Sequence, residues 1–262
     1  MFELLVIIIL GLSFGSFASA LIYRIPQGLP WANSRSQCTS CGITLGPRDL
    51  IPVISWAVSG GKCRNCGAKV SSLYPVLEVI SCAVCLFIFF FHEGQPYEKY
   101  ALIATVPFLL ALTVIDLQHK ILPNVLVFII GAIGAIYIAA KIALEEMPEQ
   151  ILVTHGGGAI LYALFAFALG MLMRKLLKKE ALGMGDVKFF AVSGLWLGAG
   201  QLGNFCILAG IFGVLLALLW KVKFKQDVFP FGPALIASFL VILTLSGSLF
   251  FEKAVKYFEV LS

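Results

Sequence analysis

Long apolar runs alternate with short polar segments along this chain. Eight runs stand out, at roughly 2–23, 74–91, 100–116, 124–141, 155–173, 187–202, 204–220 and 231–250. Crossing a bilayer as a helix takes about 20 mostly apolar residues, and these runs are close to that length. The sixth is the weakest: it is short, and Gly194, Gly198, Gly200 and Gly203 crowd its far end. Small residues there let neighbouring helices approach closely. The fifth opens on "HGGG" at 155–158. No internal repeat or low-complexity tract is evident. The pattern predicts an all-α polytopic membrane protein of about eight transmembrane helices. The longest polar segment, 24–73, is a small loop domain.

Composition narrows this further. The chain is 60% hydrophobic and 13% charged, against about 25% charged in soluble domains, so the solvent is mostly the lipid bilayer. The first run lacks a basic leader, carries Glu3, and has no small-residue cleavage site before Tyr23. It is expected to be an uncleaved membrane helix. The net charge of +5 does not imply nucleic acid, because no compact basic face is interleaved with aromatics.

Instead the charge marks topology. With the N-terminus outside, the inner segments 24–73, 117–123, 174–188 and 221–230 hold 15 of the 19 basic residues, Lys178, Lys179 and Lys225 among them. The outside keeps Lys99, Lys141, Lys253 and Lys256, beside Glu93, Glu98, Glu145, Glu146 and Glu149. Cytoplasmic loops are enriched in Lys and Arg, so both termini are expected outside.

That orientation puts two acids at one membrane depth. Asp116, in "ALTVIDLQHKILPN", ends the third run, and Asp186, in "GMGDVKFF", begins the sixth. An ionisable group at the edge of hydrocarbon is a functional candidate. Two carboxylates brought together share a proton and titrate as a unit, the arrangement of aspartic proteases. Gly183 and Gly185 leave the backbone bare beside Asp186, and Pro123 ends helix propagation after the third run. The plainer alternatives are a helix N-cap for Asp186 and a solvated acid near His119 or Lys120 for Asp116.

The loop domain carries Cys38 and Cys41 in "CTSC" and Cys63 and Cys66 in "CRNC", with 21 residues between the pairs. That is close to the spacing of a four-thiolate zinc site, and a reducing cytosol disfavours disulfides there. Four thiolates leave no open coordination position, so the expected Zn2+ is structural. Redox-active or unmetallated thiols are the other readings. Cys82, Cys85 and Cys206 lie in apolar runs and are expected to pack as small hydrophobes. Glu78 sits near the inner end of the second run, a candidate partner for Lys69 or Arg64. "VFPFGP" at 228–233 reads as a stiffened start to the last helix. His92, His119 and His155 form no metal-binding pattern; His119 is a candidate neighbour of Asp116.

Several stretches together carry a family likeness: "GLSFGSFASALIYRIP" (11–26), "RSQCTSCG" (35–42), "DLIPVISW" (49–56), "GGKCRNCGAKVSSLYPVLE" (60–78), "IDLQHKILPN" (115–124), "GMGDVK" (183–188) and "PFGP" (230–233). In this order they resemble the type IV prepilin peptidase family, which includes the type II secretion pseudopilin peptidases. The resemblance implies an aspartic endopeptidase of the bacterial inner membrane with Asp116 and Asp186 as catalytic acids. The resemblance further implies that its substrates are prepilins or pseudopilins held in the membrane. It also implies N-methylation of the new N-terminal residue using S-adenosylmethionine, in the cysteine-bearing region, and Gly61 and Lys62 match a stretch tied to methylation. The implied domains are a first transmembrane helix over 1–23, a cytosolic four-cysteine zinc domain over 24–73, and peptidase helices over 74–262. The sequence departs from the family at Ser19, Thr39 and Leu73, where asparagine, proline and arginine are usual. Two alternatives are a GxGD intramembrane protease without methylation and a non-enzymatic assembly protein with a zinc module.

Overall fold

Backbone groups in hydrocarbon must be satisfied within their own segment, which for a single apolar run means an α-helix. The computed structural model describes residues 1–32, 34–144, 147–177, 182–224 and 229–245. Among them, regular structure is helical apart from two isolated β-bridges. The helices are α1 (Phe2–Arg24), α2 (Ile54–Val58), α3 (Leu73–Phe91), α4 (Pro96–His119), α5 (Asn124–Leu144), α6 (Pro148–Leu177), α7 (Met184–Leu197), α8 (Leu202–Phe224) and α9 (Gly232–Leu245). Six of them, α1, α3, α4, α5, α6 and α8, are long and apolar enough to cross a membrane. This is a multi-pass membrane protein.

The eight expected runs are all helical over their described residues, and the sixth is shorter than a full span. α7 has 14 residues and ends at Leu197 because Gly198 turns to φ +75°. A 3-10 turn at Ala199–Gln201 follows, and α8 starts at Leu202. α9 is described over Gly232–Leu245. The end of the eighth run at 246–250 lies outside the described residues, as do Glu145, Glu146, Lys178, Lys179, Lys225, Val228, Lys253 and Lys256.

The chain divides into two compact units, residues 1–90 with 106–111, and residues 91–105 with 112–262. In the first, α1 lies against α3 through glycine. A Cβ on Gly11 would stand 2.7 Å from Cys82 Cα, and one on Gly15 would fall on the backbone of Leu77 and Glu78. Cys85 and Ile88 are fully buried in this unit. Gly15→Leu is expected to force α1 off α3. Backbone cannot yield as a side chain can, so the cost exceeds the roughly 1–3 kcal/mol of ordinary overpacking. Thermal unfolding of the detergent-solubilised protein measures it, and an unchanged midpoint refutes the packing.

In the second unit, Gly158 and Gly194 let α6 and α7 touch backbone to backbone: a Cβ on Gly158 would meet the Gly194 carbonyl oxygen at 2.6 Å. Some polar side chains in this unit serve its packing. Trp196 stacks on Tyr137 at 5.1 Å and donates to the Ile130 carbonyl at 3.1 Å. His155 Nδ1 lies 2.9 Å from the Leu195 carbonyl, and His92 Nδ1 2.9 Å from that of Leu243. These two histidines therefore tie neighbouring segments to the backbones of α7 and α9.

Candidate active site and thiolate cluster

Three of the sequence stretches converge in the second unit. Asp116 stands in the last turn of α4 and is buried. Lys120 then takes a left-handed conformation (φ 56°), and its N–H bonds the Asp116 carbonyl at 2.8 Å. That cap turns the chain back, so Leu122 packs beside the acid. His119 is exposed. The Asp116 carboxylate accepts a hydrogen bond from the backbone N–H of Gly232, Oδ2 at 2.8 Å. Gly232 opens α9, and its amide is one of the helix's unsatisfied N-terminal donors.

Asp186 sits in the first turn of α7, three residues past the N-cap Gly183 rather than at the cap itself. Its Oδ2 accepts the Gly183 N–H at 3.0 Å. Gly185 is needed for clearance, since a Cβ there would lie 3.0 Å from Leu122 Cβ. Lys188 Nζ donates to Asn124 Oδ1 at 2.9 Å, tying the ends of "GMGDVK" and "IDLQHKILPN" together. Asp116 is near enough for its charge to act on Asp186. Each carboxylate thus lies at a helix N-terminus, where the backbone dipole favours negative charge.

"PFGP" does more than start a helix. A Cβ on Gly232 would stand 2.8 Å from Asp116 Oδ2 and 2.9 Å from Leu122 Cδ2. Gly232→Ala is therefore expected to displace the Asp116 carboxylate, and with Asp116 as the catalytic acid proposed below, turnover is expected to fall about 100-fold, the scale of a misplaced catalytic group. Substrate affinity is expected to change little. A kcat and KM comparison checks this, and wild-type kcat contradicts it. Only the short spacing of Pro and Gly before an apolar run hinted at Gly232, and nothing in the sequence linked it to Asp116.

The four loop cysteines come together in the first unit. Their sulfurs lie within 4.8 Å of one another, and Cys38 and Cys66 are 3.9 Å apart. The two halves are built alike. Cys38 N–H bonds the Ile43 carbonyl at 2.9 Å, and Cys63 N–H that of Ala68 at 2.8 Å. Gly42 and Gly67, both at φ +71°, each donate back to the first cysteine's carbonyl at 2.9 Å. Isolated bridges Gln37–Thr44 and Lys62–Lys69 close the two turns. Tetrahedral zinc with Zn–S bonds near 2.3 Å requires sulfurs about 3.8 Å apart, and the cluster is close to that. Backbone N–H groups of Cys41 and Ser40 aimed at Cys38 draw its thiol down to about 6. The Ile43 N–H and the Asn65 amide, 3.6 Å from Cys41, lower that thiol too. Donors directed at sulfur favour the thiolate, the form a metal binds.

A cavity of about 1060 Å3 adjoins this cluster in the same unit and is lined by Ser16, Ser19, Arg24, Trp56, Lys62 and Glu78 among others. Glu78 has neither of its expected basic partners: Arg64 pairs with Asp49 at 3.4 Å. The Glu78 carboxylate instead takes the Val53 N–H at 2.6 Å. Gly61 does not line the cavity. It turns at φ +67° beneath the Trp56 indole, which a Cβ would approach to 2.9 Å.

The helical spans, the carboxylates at adjoining helix ends and the thiolate turns define a polytopic membrane protein of the peptidase type. A family model for the bacterial peptidase A24 N-terminal domain matches residues 9–92, and one for the type IV leader peptidase family matches residues 103–218. A relative from Escherichia coli, the type 4 prepilin-like proteins leader peptide-processing enzyme, is 32% identical over 86% of this chain and 87% of its own. The prepilin leader peptidase/N-methyltransferase of Bacillus subtilis is 30% identical over 88% and 90%, and that of Vibrio cholerae 26% over 89% and 93%. No solved structure matches. The chain belongs to the type IV leader peptidase family.

Proposed function

We propose that this protein is an inner-membrane aspartic endopeptidase that removes the leader of type IV prepilins or pseudopilins at the cytosolic face. It then N-methylates the exposed residue with S-adenosylmethionine. The observation that carries the reading is that Leu122 is flanked by Gly185, next to Asp186 in the chain, and by Gly232, whose amide holds Asp116, with the charge of Asp116 acting on Asp186. Asp116 and Asp186 hold one proton between them. The ionised member takes a proton from water, the resulting hydroxide adds to the scissile carbonyl, and the protonated member donates to the departing amine. The Gly232 and Gly183 amides keep each carboxylate aimed through its Oδ2. The substrate is anchored by its own apolar helix, so encounter is confined to the bilayer and positioning supplies part of the rate.

In this reading residues 1–23 form the first span, 24–73 a cytosolic domain and 74–262 the peptidase helices, with both termini outside. Cys38, Cys41, Cys63 and Cys66 hold a structural Zn2+, whose role is to fix the turns that bound the cavity. Lys62 serves the methyl donor directly, and Gly61 serves it through Trp56. The test combines purified protein, a membrane-inserted prepilin and the methyl donor, and weighs the mature N-terminus. A leaderless product carrying one added methyl group is expected. An unmethylated product reduces the protein to a protease alone, and an uncleaved substrate refutes the reading.

A further inference from the structure

We propose that the cavity of the first unit is the binding site for the methyl donor, with the Glu78 carboxylate taking the ammonium of its amino-acid arm. This rests on the methyltransferase reading above. Nothing in the peptidase chemistry uses this cavity, yet it is the size of a ligand site. Pockets for drug-sized molecules run about 300–1,000 Å3, and this one is about 1060 Å3.

Its lining suits a nucleoside that carries a charged amino-acid arm. Two acids face it, Asp49 and Glu78. Asp49 is partly exposed and paired with Arg64. Glu78 is buried, with 7% exposure, and no basic residue is paired with it among the described residues. A buried carboxylate is costly unless a charge meets it. It has two oxygens and about four acceptor sites. Val53 N–H and the Ser16 hydroxyl account for part of that capacity. An ammonium group supplies the rest. Arg24 and Lys62 on the lining suit the arm's carboxylate, and Tyr23, Trp56 and Tyr74 offer ring faces to adenine.

Backbone strain points to the same place. Val53, held by Glu78, has φ 61°, a true outlier for a β-branched residue. Such strain gathers at ligand clamps. Gly15 adds a positional reason: its bare Cα lets α1 reach the backbone of Glu78, which places Ser16 and Ser19 on the cavity wall.

Equilibrium dialysis of radiolabelled S-adenosylmethionine against the full-length protein in detergent tests the proposal. Glu78→Gln keeps an acceptor oxygen for Val53 and removes only the charge. It is expected to weaken binding roughly 10-fold or more, as for loss of a charged hydrogen bond. Ultraviolet cross-linking of the same label to the wild type is expected to mark peptides within residues 16–78. Should the variant fail to fold, the cross-link map decides alone. Wild-type affinity in a folded Glu78→Gln protein, or label confined to residues 112–245, overturns the site. If the wild type still methylates pilin in that case, the methyltransferase reading survives and only its location is wrong. A wild type that neither binds the donor nor transfers methyl ends both.

Discussion

Asp116→Asn and Asp186→Asn are each expected to abolish leader cleavage while leaving the protein folded. Asparagine keeps a carbonyl oxygen to accept the Gly232 N–H now 2.8 Å from Asp116, or the Gly183 N–H 3.0 Å from Asp186. The helix ends therefore stay anchored. What asparagine cannot do is exchange a proton. A positioned acid or base contributes about 10²–10⁴-fold, and in the proposed mechanism one aspartate activates water while the other protonates the leaving amine, the two coupled by the proton they share. A single substitution thus removes both contributions, and a fall of at least about 1,000-fold follows. Effects of residues that act as a unit are not additive, so the double variant is expected to be no slower than either single one. Gel analysis of prepilin processing in membranes measures this, with an unchanged thermal midpoint as the folding control. Near-normal processing by either variant would remove its aspartate from the mechanism.

The chemistry was easier to read in the sequence than the geometry. Both acids stand at the edge of apolar runs, and a charge bordering hydrocarbon is conspicuous in any sequence. The cysteine pairs were equally visible, because a glycine-closed thiolate turn needs a fixed local spacing. The structure shows the repetition that composition hid: Gln37–Thr44 and Lys62–Lys69 are one turn built twice. Gly232 and Val53 were not legible. Each matters through one backbone N–H, directed at a side chain 116 positions away in one case and 25 in the other. Hydrophobic periodicity carries no information about such pairings. Helix ends were misjudged where a single dihedral decides them, as at Gly198, whose φ of +75° stops α7 in a run that stays apolar. Glu78 was expected beside a loop base because opposite charges attract. Arg64 found the more exposed Asp49 instead, where its guanidinium stays hydrated.

Loss of the proposed zinc site is expected to have the second largest effect, and an uneven one. Cys38→Ser or Cys63→Ser takes one of four sulfurs from a cluster whose members lie within 4.8 Å of one another. The segment around it has little else to hold it. Cys41 and Cys66 are exposed, and the nearby elements are a three-residue 3-10 turn at Pro47–Asp49 and the five-residue α2. Structural zinc in comparably small modules supplies about 10–16 kcal/mol, more than so slight a core replaces. Wild-type protein is expected to carry one zinc per chain by elemental analysis, the variants far less, and a Cys82→Ser control the full amount. Amide exchange over residues 36–70 is expected to rise in the variants, because the turn hydrogen bonds lose their anchor. Cys38 and Cys63 line the cavity, whereas the two aspartates belong to the other compact unit with its own glycine and aromatic packing. Methyl transfer is therefore expected to fall much further than leader cleavage. Equal losses would mean that the metal supports the whole molecule rather than the thiolate unit, and zinc-free wild-type protein with the same slow exchange would mean that the thiol cluster holds itself together.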